Sequence, residues 1–268
     1  MKTPTHSFYH YLDDAFGFFN RVLFEDTLPA CLLTVQREKN VMGFFSANRW
    51  TDREGNLVHE LAVNPTYFAR HNLLEVLQTL LHEMVHNWQH SYGNPSRNGY
   101  HNRQWADKME SIGLMPSTTG LPGGNRTGQR MSDYPIPDGA FEQASKAFIR
   151  QSKGLPWVDR YAALKPACQV RNVGCVTQYA PVKPDTSKDD TENLLHIRMS
   201  ELFADLVPDE QLQQAARKKV KIRYSCPQCD THVWGKPGLN LMCGECHSPY
   251  TASSPDDTLS TPKQEAQA

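Results

Sequence analysis

Two histidines four residues apart, His82 and His86, lie inside a long apolar-periodic segment with Glu83 directly after the first. On a helix, residues four apart stack one above the other on one face. Both imidazoles can therefore reach one metal ion, and Glu83 can reach a water on that ion. The surrounding residues require the helix. Asn72 is a good N-cap, and Glu75 three residues later completes a capping-box pattern. Leu73, Leu77, Leu80, Leu81, Met84 and Trp88 recur at helical spacing, and Gly93 and Pro95 end the run. The spacing predicts a helix over roughly 73–92.

A catalytic zinc needs a third protein ligand and an open position for water. His90 continues the series, but it lies eight residues from His82, about 12 Å along a helix. The metzincin extension is excluded, because Gln89 and Tyr92 stand where it requires glycine and histidine. A glutamate from a following helix is one solution, with Glu110 as its candidate. His101 is the better one. It opens a second short helix, with Trp105, Met109 and Ile112 on one face and Gly113 at its end. A loop through Gly93, Pro95 and Gly99 can return it to the first pair.

The string from Leu80 to His90, the loop after it, and Tyr100-His101-Asn102-Arg103-Gln104-Trp105 leading to Ile112-Gly113 resemble the SprT-like family of Spartan-related metalloproteases. Upstream, Phe8 to Phe24 with Leu28-Pro29 is similar to that family's opening helix, and Leu57 to Pro65 to the strand before its active-site helix. The resemblance covers roughly residues 5–115. It implies zinc ligands His82, His86 and His101, with Glu83 as general base. It also implies an α+β, zincin-like core over 1–115: an N-terminal helix, a three-stranded sheet and two metal-bearing helices. In such a site zinc acidifies a water, and Glu83 takes its proton and passes it to the leaving amine. An extended substrate would pair with a sheet edge near His59 to Asn64. Tyr100 or Arg103 would assist the oxyanion.

A second metal pattern lies near the C-terminus: Cys226-Pro-Gln-Cys229, thirteen residues, then Cys243-Gly-Glu-Cys246. Paired C-x-x-C knuckles match a structural zinc site. Strands are expected around Tyr224 and Tyr250, with a turn at Gly235-Lys-Pro-Gly238, giving a zinc ribbon over 222–250. So short a domain cannot bury enough core alone, so metal would supply its folding energy. All four thiolates are used, which leaves no catalytic opening. The expected load is two zinc ions per chain, one catalytic and one structural. Of the remaining cysteines, Cys31 reads as a small core residue, and Cys168 and Cys175, with six residues between them, as buried thiols. Seven cysteines with four in a metal pattern favour a reducing compartment over a disulfide framework.

Residues 116–180 read as a Gly/Pro-rich loop and a helical extension. Its glycine run lacks the phosphate-loop pattern and reads as a loop beside the cleft. Asp138 to Lys153 should be a helix with Phe141, Ala144, Phe148 and Ile149 on one face. Residues 181–193 read as a polar linker, 194–221 as a helical segment with a basic end, and 251–268 as a disordered tail. That end, Arg217, Lys218, Lys219, Lys221 and Arg223, runs into a ribbon bearing Tyr224 and Trp234. Cations for phosphates and aromatics for bases are the ingredients of nucleic-acid binding. The blander reading is a helix end whose cations complement its dipole.

The formal charge of −1 demands no polyanion partner by itself. No segment has the apolar length of a membrane span, and the first residues lack a signal core. The chain reads as a cytoplasmic zinc endopeptidase acting on nucleic-acid-associated proteins, nucleoid-associated if bacterial. The alternative is a DNA- or RNA-binding zinc-ribbon protein whose protease-like domain is a scaffold, against which Glu83 argues. A metal-dependent hydrolase of a non-peptide substrate is a further rival.

Overall fold

In the computed structural model, residues 3–38, 41–69, 71–97, 99–152, 154–159, 194–203 and 221–252 are described. Cys168, Cys175, the 181–193 linker, Arg217, Lys218, Lys219 and residues 253–268 lie outside them. The expectation of a disordered tail from 251 is corrected at Thr251 and Ala252, which are paired with Ser225 and Tyr224. The chain divides into two compact units, residues 1–207 and 208–268.

The first unit starts with α1 (Pro4–Leu23), opened by Thr3, whose hydroxyl accepts from the His6 amide at 3.2 Å. The helix buries Leu12, Ala15, Phe16 and Phe19. Near its end the buried Asn20 accepts from the Leu28 amide at 3.0 Å and donates to the Leu28 carbonyl at 3.2 Å. That clasp turns the chain into the sheet. Strands β1 (Cys31–Val35), β2 (Gly43–Thr51) and β3 (Leu57–Val63) are ordered β1-β3-β2, with β3 parallel to β1 and antiparallel to β2. The three-stranded sheet is therefore present, but His59 to Val63 is its central strand. The expectation of a substrate edge there is corrected: β3 is paired on both sides, the edge strands are β1 and β2, and β2 is the one that lines the cleft described below.

After the short α2 (Pro65–Phe68), α3 spans Leu73–Tyr92. Both capping-box bonds form: the Glu75 amide to Asn72 Oδ1 at 2.8 Å, and the Asn72 amide to Glu75 Oε2 at 2.9 Å. Leu77, Leu81 and Met84 are buried in one cluster with Leu61 and Val63 of β3. Next come α4 (Arg103–Ser111) and a hairpin of β4 (Leu114–Ser117) with β5 (Ser132–Pro135). Between α4 and β4 stands Gly113, at φ +90°, where a Cβ would meet the Phe141 amide at 2.6 Å. Only glycine fits that approach. Helix α5 (Ala140–Ser152) follows with Phe141, Ala144, Phe148 and Ile149 buried, as the periodicity predicts. The Phe148 ring lies 5.4 Å from those of Tyr11 and Phe18 on α1. The core thus continues past residue 115. Leu195 and Met199, the latter opening α6 (Met199–Leu202), join the same cluster.

The second unit holds β6 (Ile222–Ser225), β7 (His232–Gly235) and β8 (Thr251–Ala252), ordered β7-β6-β8. Tyr224 is its large buried side chain. The Tyr224 hydroxyl donates to the Lys236 carbonyl at 2.6 Å and accepts from the Leu239 amide at 2.9 Å, closing the glycine turn. No described helix is long and apolar enough to cross a membrane.

Candidate metal centre and cleft

Helix α3 presents His82, Glu83 and His86 toward α4, and the loop through Gly93 to Gly99 brings His101 back to them. His101 Nε2 stands 3.2 Å from His82 Nε2 and 3.1 Å from His86 Nε2. Ligands about 2.0 Å from one tetrahedral ion sit about 3.3 Å from each other, so the spacing suits a zinc-sized ion. Nitrogen lone pairs converging this closely repel unless a cation or proton lies among them. The three histidines form one group able to hold a metal. Trp105 is fully buried beneath them, its ring centroid 4.3 Å from that of His101 and 4.9 Å from that of His82. His101 itself stands two residues before α4 rather than opening it. It pairs across an isolated bridge with Gly128, whose carbonyl accepts the His101 amide at 2.8 Å.

Two of the three imidazoles are also held from behind. Asp133 on β5, buried, accepts from His82 Nδ1 at 2.9 Å. Its second oxygen is buried without a hydrogen-bond partner among the described residues. The Gly128 carbonyl faces His101 Nδ1 at 3.4 Å. Each contact puts the proton on Nδ1 and leaves the Nε2 lone pair for the triad. Charge follows geometry. Burial and the neighbouring His82 push His101 down to about 3. Burial and the other two histidines hold His86 well below the usual imidazole value. Burial also opposes the His82 cation, but the bond to Asp133 and the charges of Glu83 and Asp133 outweigh it and raise its pKa. Glu83 is buried, which pushes its carboxyl up to about 7, against the pull of His82 and a hydrogen bond from the Phe45 amide of β2.

The competitors for the third position lie elsewhere. Glu110 is engaged by the Arg126 guanidinium, which also reaches Asp107 at 2.9 Å, away from the triad. The His90 ring packs 4.9 Å from that of His59 and 5.9 Å from that of Phe45. It lines the cleft without joining the three histidines. Of the two oxyanion candidates, Tyr100 lines the cleft. Arg103 is at the surface, its side chain 84 % exposed, and faces Asp107 at 3.6 Å.

These groups stand at the base of a cleft of about 740 Å³. One wall is β2 with Gly43, Phe45 and Ala47. The other carries Arg97, Tyr100, Gln129 and Arg130, so the Gly-rich segment does lie beside the cleft. Gly43 makes the first wall possible, because a Cβ there would sit 2.8 Å from the Ala62 carbonyl oxygen and 3.2 Å from Glu83 Cγ.

Sequence reasoning missed Asp133, Gly128 and the Phe45 amide. One signal existed for the first: a metal-bound histidine usually donates its other nitrogen to a carboxylate. Between His101 and Ala140 the aspartates are Asp107, Asp133 and Asp138.

In the ribbon, Cys226, Cys229, Cys243 and Cys246 bring their sulfurs within 4.8 Å of one another. Cys229 and Cys243 stand 3.7 Å apart, close to the edge of about 3.8 Å for a tetrahedron with zinc–sulfur bonds near 2.3 Å. The two knuckles share one backbone form. The Cys226 amide donates to the Thr231 carbonyl and the Cys243 amide to the Ser248 carbonyl, both at 2.9 Å. Asp230 and His247, each after the second cysteine of its pair, adopt φ of +55° and +51°. Bonds with Thr231 hold the Cys229 thiol down to about 6, whereas contact with Cys229 pushes Cys246 up to about 12. Full ionisation of the four needs a cation among them. Both groups are compatible with zinc. Of the nucleic-acid candidates, Lys221 is exposed, and Arg223 lies directly opposite Trp234, which is 63 % exposed, on β6 and β7.

A family model described as "SprT-like family" matches residues 12–124. An uncharacterized protein in the mucB 3′ region of Salmonella typhimurium is 46% identical over 62 residues, which are 23% of this chain and 84% of that protein. No solved structure matches the chain significantly.

Proposed function

The chain belongs to the SprT-like family, and from that premise we propose that it is a zinc-dependent endopeptidase of nucleic-acid-associated proteins. One observation carries the reading. Three imidazole nitrogens at 3.1–3.2 Å converge beside a buried glutamate in an open cleft. His82, His86 and His101 are its zinc ligands and Glu83 its general base, on a zincin-like core. The second zinc sits among Cys226, Cys229, Cys243 and Cys246 and is structural.

Zinc bound at the triad supplies Lewis acidity to a water and to the scissile carbonyl. The rest is work for the chain. Asp133 and the Gly128 carbonyl fix two imidazoles with their lone pairs turned inward. The Phe45 amide holds the Glu83 carboxylate over the cleft, where it takes a proton from water and delivers it to the leaving nitrogen. Exclusion of solvent raises the basicity of that carboxylate. An extended substrate lies along β2. The Asn64 amide donates to the Met42 carbonyl, so Gly43 and Phe45 turn their backbone groups away from β3, leaving their carbonyls for the substrate while the Phe45 amide stays on Glu83. Tyr100 on the opposite wall is the side chain for the carbonyl oxygen.

Exposed Trp234 beside Arg223, with Lys221 near, supports nucleic-acid contact through the ribbon. The test is cleavage of a loosely folded protein and of a DNA-bound protein by the full chain, with and without single-stranded and duplex DNA. The reading expects cleavage of both, with the bound substrate accelerated by DNA. Zinc-loaded protein that cleaves neither under any condition overturns it and leaves the scaffold reading.

A further inference from the structure

The charges around the cleft are one-sided. Glu83, at its base, is the one carboxylate among the described lining residues, and the β2 wall contributes only apolar side chains and backbone. The opposite wall brings two arginines from loops 33 residues apart in the chain, Arg97 and Arg130. The nearby acids are already engaged: Asp133 lies buried behind His82, and Asp107 and Glu110 are tied to Arg126.

Neither arginine rides on a free loop. The Arg97 guanidinium lies 5.7 Å from the Tyr100 ring centroid, which keeps it over the cleft wall. Arg130 sits between Gly128, bonded to His101 through both backbone groups, and Met131, 2 % exposed. The bonds at Gly128 and the burial of Met131 hold this short stretch, and with it Arg130, beside the centre.

We propose that Arg97 and Arg130 select acidic substrate, so that the enzyme cuts extended segments carrying Asp or Glu beside the scissile bond. This rests on the endopeptidase reading above and names its substrate class. Acidic segments suit that reading for a physical reason. In a nucleic-acid-bound protein they are repelled from the phosphates, and their charge keeps them from folding. They therefore remain extended and reachable by a cleft that needs an extended chain. Partly screened charges several ångströms apart support a preference of about 3- to 10-fold in kcat/KM per acidic residue at low salt.

The test uses the full-length, zinc-loaded protein and fluorogenic peptides identical except near the scissile bond, where they carry Asp and Glu, Asn and Gln, or Lys. Wild type should prefer the acidic peptide, and the preference should shrink between about 0.05 and 0.5 M salt. The Arg97→Gln/Arg130→Gln variant should bring the acidic-to-neutral ratio close to one. The Arg97→Glu/Arg130→Glu variant should invert it toward the Lys peptide. Metal content, measured on every sample, guards against a misfolded centre. Equal cleavage of acidic and neutral peptides by wild type overturns the proposal while leaving the endopeptidase reading intact, as does a preference untouched in both variants. A short oligodeoxynucleotide that blocks neutral-peptide cleavage in wild type but not in the double Gln variant also overturns it, by assigning the arginines to phosphate. Cleavage of no peptide by metal-bound wild type fails the endopeptidase reading itself.

Discussion

At the scale of single residues, three side chains were rivals for one position, and reach separates them. His101 reaches both helix histidines, Glu110 is held by Arg126, and His90 packs against His59. His101→Ala should therefore weaken zinc binding at this site, whereas Glu110→Ala and His90→Ala should leave it intact. Competition with a chromophoric chelator reads this directly, and metal loss in the Glu110 variant would point to a different ligand set. Asp133 should act through His82. Asp133→Ala should cost about 10- to 100-fold in metal affinity. Asp133→Asn should cost less, because its carboxamide oxygen still accepts from Nδ1. Nitrogen-15 spectra of the metal-free protein should show His82 losing its fixed tautomer in the Ala variant only. An unchanged tautomer there would remove Asp133 from the positioning of the ring. His82, Glu83 and His86 were legible because local periodicity alone puts them on one helix. Asp133 lies 51 residues from its partner, and no local pattern links them.

Among elements, those marked by caps, a long apolar period or a cysteine pattern could be read, and those without such a mark could not. The caps and apolar period of α3 mark both of its ends, and α5 shows its buried face in the same way. The β4–β5 hairpin was missed because each strand has four residues and each holds a proline, Pro116 and Pro135, which argues against a strand. The central place of β3 was hidden too, since pairing on both sides is a tertiary fact. The ribbon was legible because two cysteine pairs at this spacing have few other uses. Cys226→Ser with Cys229→Ser should release one of two zinc ions and unfold the ribbon while α3 keeps its metal. A double variant losing both ions would merge the two sites into one folding event. If Lys221 and Arg223 contact phosphates, changing both to Ala should flatten the log–log salt dependence of nucleic-acid affinity by about 1.4 to 1.8. Trp234→Ala should weaken single-strand binding with little change of slope, since stacking releases no counterions. Titrations at several salt concentrations separate the two, and no binding at low salt would retire the ribbon as a nucleic-acid contact.

The whole molecule carries a cleft with three converging histidines in one unit and a four-cysteine cluster in the other. The proposed function requires the histidine triad and Glu83 together to make a peptide-cleaving centre. The most direct test measures metal and cleavage on the same samples of wild type and Glu83→Gln, each stripped by chelator and reloaded with zinc. Gln keeps the shape of Glu83 and spares every ligand, so both proteins should bind two zinc ions per chain. Cleavage should return in wild type and fall by at least about a hundredfold in the variant, the low end for losing a general base. Equal cleavage by the two fully loaded proteins would contradict the account at its centre.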